Sequence, residues 1–266
     1  MALRTFRDMM GREVEINYPP RRIVSLVPSQ TELLYDLGLD ETVQGITKFC
    51  VHPDSWFRSK TRVGGTKQLH IDKIKELKPD LIIANKEENL EEQVMELAKD
   101  YPVWISDIGY IEEGLDMIRA VGELVDKEEK ANNIARDIAT GFELLQQAEE
   151  KKRVLYFIWR EPWMSVGGDT FISNVIETIG WENVLEEQRR YPEIVLEEVA
   201  IYKPDLVLLS SEPYPFKEKH IAEVQTAIPH AEVLLVDGEM FSWYGSRMLK
   251  AIPYFSELIQ KTKYKA

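Results

Sequence analysis

Two short stretches decide the fold: Lys78–Ile83 (KPDLII) and Lys203–Leu208 (KPDLVL), 125 positions apart. Each follows an amphipathic segment of helical spacing, and each carries a proline that stops the helix, because proline lacks an amide donor and restricts the residue before it. The apolar run that follows is short and barely alternates, as in a strand buried on both faces of a parallel sheet. One copy carries little. Two copies, in matching positions of two strand–helix series, argue for a duplicated architecture.

Outward from the first copy, the pattern predicts a strand over Arg22–Pro28 and a helix over Gln30–Leu37 with Ser29 or Thr31 as cap. A turn at Gly38-Leu39-Asp40 leads to a strand over Thr42–Ile46. A helix over Ile71–Leu77, a strand over Leu81–Ala84, a helix over Asn89–Lys99 and a strand over Val103–Asp107 follow. Around the second copy, Arg153–Trp159 parallels Arg22–Pro28, the helix Ile172–Gly180 leads into Trp181–Val184, and Val233–Asp237 closes the series. Such alternation predicts an α/β protein of two similar three-layer lobes with mostly parallel sheets. Between them, Leu115, Ile118, Val121 and Leu124 form one helical stripe, and Ile134, Ile138, Phe142, Leu145 and Ala148 another. A long rigid helix is therefore expected to join the lobes, with a ligand cleft between them. The expected division is an extension over 1–20 packed on the first lobe, a first lobe over 21–125, a joining helix over 126–150 and a second lobe over 151–266.

The 266 residues carry 33 basic and 46 acidic side chains, a formal net charge of −13. That balance argues against broad affinity for nucleic acid or anionic membrane, though a cleft can differ in sign from the molecule around it. The lone cysteine, Cys50, excludes an intrachain disulfide and any multi-cysteine metal centre. Met1–Gly11 (MALRTFRDMMG) has no apolar run of signal-peptide type, so the chain reads either as cytoplasmic or as a mature form whose export segment was removed.

Ligands of parallel sheets sit beyond the C-terminal ends of the strands. Four segments are expected there: Pro28–Glu32, Thr47–Thr66, Trp159–Thr170 and Phe241–Arg247. They combine aromatic walls (Trp159, Trp163, Phe241, Trp243, Tyr244) with paired glycines (Gly64-Gly65, Gly167-Gly168), and with Lys67 and Trp104 nearby. Arg160 and Arg247 complete a set suited to a large, partly planar ligand with polar edges. For each tryptophan a plain core role competes with ligand contact, especially for Trp159 at the end of a strand and Trp181 after a helix. Cys50-Val51-His52 is the single local metal-like pair, and the sequence supplies no third ligand. His70 and His230 read as structural or exposed, and His220 as lying at the surface. The chain has no GxSxG elbow, HExxH motif, P-loop or GxGxxG loop, so no catalytic residue is assigned.

The assembled strings resemble the vitamin B12- and siderophore-binding proteins that deliver ligand to ABC importers, in which a rigid helix joins two lobes. The resemblance rests on Phe6–Ile16, Pro19–Gly38 (PPRRIVSLVPSQTELLYDLG), Arg62–Ala84 (RVGGTKQLHIDKIKELKPDLIIA), Lys203–His220 and Asp237–Met248 (DGEMFSWYGSRM). The last two strings look closer to the cobalamin branch. The resemblance implies a non-enzymatic receptor with no required cofactor, whose ligand is a cobalamin or a ferric chelate. It implies ligand contacts at Trp104, Trp163 and Trp243, backbone approach at Gly65 and Thr66, and an Arg247 that either meets a polar edge or anchors the loop beneath it; the strand-end segments themselves add Pro28, Ser29, Lys67, Arg160, Phe241 and Tyr244 as candidate contacts. It also implies that one acidic residue per lobe, Glu91 and Glu218, meets basic pockets on an ABC permease that works with its ATPase. The receptor is expected to be a monomer, periplasmic or lipid-anchored outside the membrane. A ferric-siderophore or haem receptor remains open, as does a cytoplasmic metal–tetrapyrrole-handling protein or enzyme.

Overall fold

A computed structural model of the chain describes residues 2–196 and 198–263. The chain folds as two compact units. One comprises Met1–Ile108, Glu112–Ala139 and Tyr244–Arg247, and the other Gly109–Ile111, Thr140–Trp243 and Met248–Ala266.

In the first unit, the antiparallel hairpin β1 (Ala2–Arg7) and β2 (Glu13–Tyr18) precedes β3 (Ile23–Ser25), α1 (Pro28–Asp36), β4 (Val43–Ile46), α2 (Asp54–Ser59) and β5 (Thr61–Arg62). Then come a small hairpin, β6 (Gly64–Gly65) with β7 (Gln68–Leu69), and α3 (Ile71–Glu76), β8 (Leu81–Asn85), α4 (Glu91–Leu97) and β9 (Val103–Ser106). The main sheet is parallel, in the order β5-β4-β3-β8-β9. Val24, Leu26, Ile74, Ile82, Ala84, Val94 and Leu97 form much of one buried cluster against it. The first hairpin is bound to the sheet edge: Met9 N–H donates to Ile105 O, and Arg12 Nη2 to Val103 O at 2.7 Å.

Residues 111–144 form two helices, α5 (Ile111–Leu124) and α6 (Glu128–Leu144), one for each apolar stripe. The break falls at Asp126, whose φ of 58° leaves the right-handed region. The helix expected over 126–150 is α6, which starts after this break and ends at Leu144.

In the second unit, β10 (Arg153–Phe157), β11 (Trp163–Met164), α7 (Phe171–Thr178), β12 (Glu182–Asn183) and β13 (Glu193–Ile194) lead to β14 (Leu206–Ser210). There follow α8 (Glu218–Ala227), β15 (Glu232–Val236), α9 (Gly238–Ser242) and α10 (Met248–Lys263). The parallel sheet runs β12-β10-β14-β15, and β11 pairs with β13 in a separate antiparallel ribbon. The amphipathic helix expected before the second KPDL string is a single 3-10 turn, Val199–Tyr202.

The repeated string is explained by a repeated set of hydrogen bonds. Lys78 and Lys203 both adopt φ 46°, turning the chain out of its helical segment before the proline. Asp80 accepts the backbone N–H groups of Arg21 (2.8 Å) and Arg22 (2.7 Å), and Asp205 accepts that of Arg153 (2.8 Å). In return, Asp80 N–H donates to Arg22 O and Asp205 N–H to Arg153 O. The guanidinium of Arg22 caps Leu77 O, and that of Arg153 caps Tyr202 O. In each unit, then, Lys-Pro-Asp bolts a helix end to the start of the neighbouring central strand, satisfying carbonyls that helix termination leaves open.

Among the described residues, no helix is long and apolar enough to cross a membrane.

Candidate functional site

Both sheets reverse winding direction beside their first strand. From β3 the chain proceeds outward through β4 to β5, then crosses to β8 and β9; from β10 it goes to β12, then crosses to β14 and β15. The switch points lie between β3 and β8 and between β10 and β14. Adjacent loops there separate and leave a crevice at the carboxyl ends of the strands. The loops after β8 and β14 therefore belong to the candidate site, although none of the four expected segments includes them. The signal was present in the sequence: the C-terminal end of each KPDL strand points to the same face as its neighbours.

In the first unit this face carries Phe49 and Val51, 50% and 39% exposed, directly beyond β4. Gly65 lies beneath Phe49: a Cβ at Gly65 would come within 3.2 Å of both Phe49 Cε2 and Lys48 Cε. The absence of a side chain there lets the ring and the lysine settle over the hairpin. Lys48 Nζ stands 5.0 Å from the Phe49 centroid. Thr66 is largely enclosed, and its carbonyl accepts from Asn89 Nδ2 at 3.1 Å. Lys67 is exposed and bonds Glu87 O. Pro28 and Ser29 open α1, Pro28 half-buried and Ser29 buried.

Several expected contacts take other roles. Trp104 is 1% exposed, and its indole N–H donates to Arg7 O at 3.2 Å, so it joins the sheet to the first hairpin and presents no wall. Cys50 is fully buried between the Thr31 and Thr47 hydroxyls, each at 3.1 Å. Burial pushes its thiol pKa up. Among the described residues no group of three or more His, Cys, Asp or Glu side chains could hold a metal ion, so Cys50 and half-buried His52 lack the further ligands a metal site needs. Arg247 is consumed by Glu32: Nε–Oε2 is 2.7 Å and Nη2–Oε1 is 3.0 Å, with both side chains 5% exposed. This pair anchors Tyr244–Arg247 in the first unit, a segment the sequence had placed with the second. Tyr244 is likewise mostly enclosed there.

In the second unit the face is aromatic. Trp159 is 39% exposed and meets Tyr214 edge-on at 5.7 Å. Beneath them, half-buried Trp163 stacks on Phe216 at 5.8 Å and contacts Phe157 at 4.8 Å. Phe216 and Tyr214 both pack on His220. Contrary to expectation, His220 is buried: its Nδ1 accepts the Lys217 N–H at 2.8 Å at the start of α8. Burial, then the charges of Lys219 and Arg160, hold its pKa below the ordinary histidine value. Arg160 forms a fork with Glu223 (3.0 and 3.1 Å) and also bonds Glu161; its pKa is raised by the Glu223 hydrogen bond. Trp243, 7% exposed, donates its indole N–H to Glu212 Oε1 at 2.8 Å. Phe241 has no exposed surface and packs among Tyr156, Tyr254 and Phe255, so it is core. Gly167 and Gly168 admit the chain's own backbone rather than a ligand's edge: a Cβ on Gly168 would lie 2.0 Å from Glu186 O, and one on Gly167 2.4 Å from Gln188 O.

Tyr214 falls outside the expected segments, and Phe49 and Val51 lie within Thr47–Thr66 without having been singled out. Each follows a strand end, but none stands in an aromatic or glycine cluster of the kind that drew attention to the other loops.

Parallel sheets with apolar side chains held open at the carboxyl ends of their strands define a small-molecule-binding α/β protein. The chain belongs to the periplasmic binding protein family, which matches residues 23–230, and this family binds ligands rather than transforming them. An uncharacterised ABC transporter substrate-binding lipoprotein of Bacillus subtilis (strain 168) is 24% identical over 277 residues, spanning 98% of this chain and 87% of the relative. A vitamin B12-binding protein of Vibrio vulnificus (strain CMCP6) is 27% identical over 256 residues, spanning 91% of this chain and 93% of that protein. The crystal structure of a periplasmic haem-binding protein from Pseudomonas aeruginosa superposes with a TM-score of 0.77 at 18% identity, covering 91% of this chain and 94% of the other. At that identity the superposition speaks of the fold alone.

Proposed function

We propose that this chain is the substrate-binding component of an ABC uptake system working outside the cytoplasmic membrane, and that it captures a bulky metal chelate of corrinoid type. The observation that carries this reading is the contrast at the strand ends. Apolar surface stands open at Phe49, Val51 and Trp159, with half-buried Tyr214 beside Trp159, while the arginines that would meet a polyanion are already neutralised, Arg247 by Glu32 and Arg160 by Glu223. A broad, largely uncharged ligand gains affinity from the first and loses nothing to the second. Thr66 and Lys67 in the first unit, and Trp163 and Trp243 in the second, supply the polar edge and the supporting ring layer. The B12-binding name of the Vibrio vulnificus relative supports the same class.

Haem or a ferric siderophore is the second reading, favoured by the exposed Lys48 ammonium beside the Phe49 ring, which a carboxylate edge could pair.

Glu91 and Glu218 are exposed first residues of α4 and α8, the helices that follow the two KPDL strands. Equivalent placement in the two units supports their pairing as contacts for a permease.

Titration of tryptophan fluorescence with cyanocobalamin, dicyanocobinamide, haemin and a ferric siderophore tests the reading. Cyanocobalamin is expected to bind most tightly, and Trp159→Ala to weaken it about tenfold, as for an aromatic anchor. Tighter binding of haemin or the siderophore would overturn the corrinoid assignment.

A further inference from the structure

The switch-point loop of the first unit, between β8 and α4, is held from below by a continuous polar array. Asn85 Oδ1 accepts the N–H groups of Glu87 (2.8 Å) and Glu88 (3.0 Å), and Asn89 Oδ1 accepts that of Asn85 (2.9 Å). Asn85 Nδ2 donates to Ser106 O and Oγ at 3.1 and 3.0 Å, Gln30 Nε2 also donates to Ser106 Oγ, and Asn89 Nδ2 reaches Leu26 O and Thr66 O. All four side chains are buried. They fix the backbone of residues 85–89 and tie it to the Thr66 loop, so a side chain carried there cannot swing away with its loop.

Glu88 is the side chain so carried. It is half-buried, and its carboxyl makes no hydrogen bond with any described residue. Lys67 is near enough to influence it electrostatically, but the Lys67 ammonium is bonded to Glu87 O. Glu88 also acts electrostatically on Cys50, and burial raises the Glu88 pKa. An ordinary surface glutamate has free access to water. A half-desolvated carboxyl on a fixed loop instead lacks part of its hydration, and a donor from outside the chain restores it.

We propose that Glu88 determines specificity in the first unit's switch-point loop, selecting a chelate whose edge presents neutral amide N–H donors over one whose edge presents carboxylates. The proposal rests on the corrinoid reading above and narrows it. An amide edge satisfies the carboxyl with one or two charge-assisted hydrogen bonds. A carboxylate edge offers the Glu88 carboxyl no N–H donor and sets acceptor against acceptor in a partly dry site, and rejection of that kind is how a site discriminates among ligands of equal size.

The test is a binding comparison on the full chain, using cyanocobalamin and its monocarboxylic acid derivatives, in each of which one peripheral amide is hydrolysed. Wild-type protein is expected to bind at least one derivative on the order of tenfold more weakly than cyanocobalamin. In Glu88→Gln the same derivative should come within about threefold, because an amide side chain offers donors as well as acceptors. Glu88→Asp keeps the charge and should retain part of the discrimination. Thermal melting of each variant beside wild type separates a change in specificity from a change in folding. Unchanged discrimination in Glu88→Gln, or its absence in wild type, overturns the role of Glu88 while leaving the corrinoid reading intact. Preferential binding of haemin by the wild type overturns both.

Discussion

The two units are alike where their central strands begin and unlike where they end. At the N-terminal ends of β8 and β14, the same residues make the same bonds: a left-handed lysine, a proline, an aspartate holding backbone N–H groups, and an arginine capping the preceding carbonyl. At the C-terminal ends, the first unit has a buried amide and hydroxyl array around Asn85, Asn89 and Ser106. The second has stacked rings around Trp163, Tyr214, Phe216 and His220. The strand beginnings do structural work that any such sheet requires, so duplication preserves a common solution. Ligands of parallel sheets sit at the carboxyl ends of the strands, and there the two faces differ in chemistry.

Four substitutions probe this contrast. The largest effect is expected from Glu32→Ala, which has no counterpart in the second unit. It leaves the Arg247 guanidinium buried without its carboxylate, at a cost of about 3–5 kcal/mol in denaturant-monitored stability. A loss below about 1 kcal/mol would mean that Tyr244–Arg247 is held by something other than this pair.

Next come Asp80→Ala and Asp205→Ala, which remove the shared bolt from each unit in turn. Both should destabilise by about 1–2 kcal/mol, typical of hydrogen bonds to a charged acceptor near the surface. Asp80 should cost more, since it accepts two backbone N–H groups where Asp205 accepts that of Arg153. Equal stability of both variants to wild type would break the structural equivalence argued from the repeat.

The smallest effect concerns His220 and acid. Its folded pKa lies below the ordinary value, so between the two the unfolded chain binds more protons and stability rises with pH. The neutral ring's contribution is complete above about pH 6.5 and declines as pH falls through the lowered value, because a protonated Nδ1 no longer accepts the Lys217 N–H. Stability measured at pH 8 and pH 5 should therefore fall more for wild type than for His220→Gln. An identical fall would remove His220 as the acid-sensitive point of the aromatic cluster.

Much of this was legible from residue order. Apolar runs, helix-stopping prolines and the repeated KPDL string act through local sterics and periodicity, which need no knowledge of distant partners. They placed β8, β9, β10, β14 and β15 to within a residue or two. Site residues were less legible. Trp104 and Trp159 both stand near the ends of predicted strands, yet one is enclosed beneath the first hairpin while the other stands open. Arg160 and Arg247 look alike as free cations until Glu223 and Glu32 arrive beside them, the latter from 215 positions away.

By itself, the sequence determined that this protein is a duplicated parallel α/β chain, because strand, helix and turn signals are local. Only the tertiary structure decided which aromatic rings remain open, which arginines are neutralised, and that Glu88 stands half-buried on a fixed loop without a hydrogen-bond partner among the described residues. Burial and charge pairing depend on segments brought together from far apart along the chain, and no local pattern records that meeting.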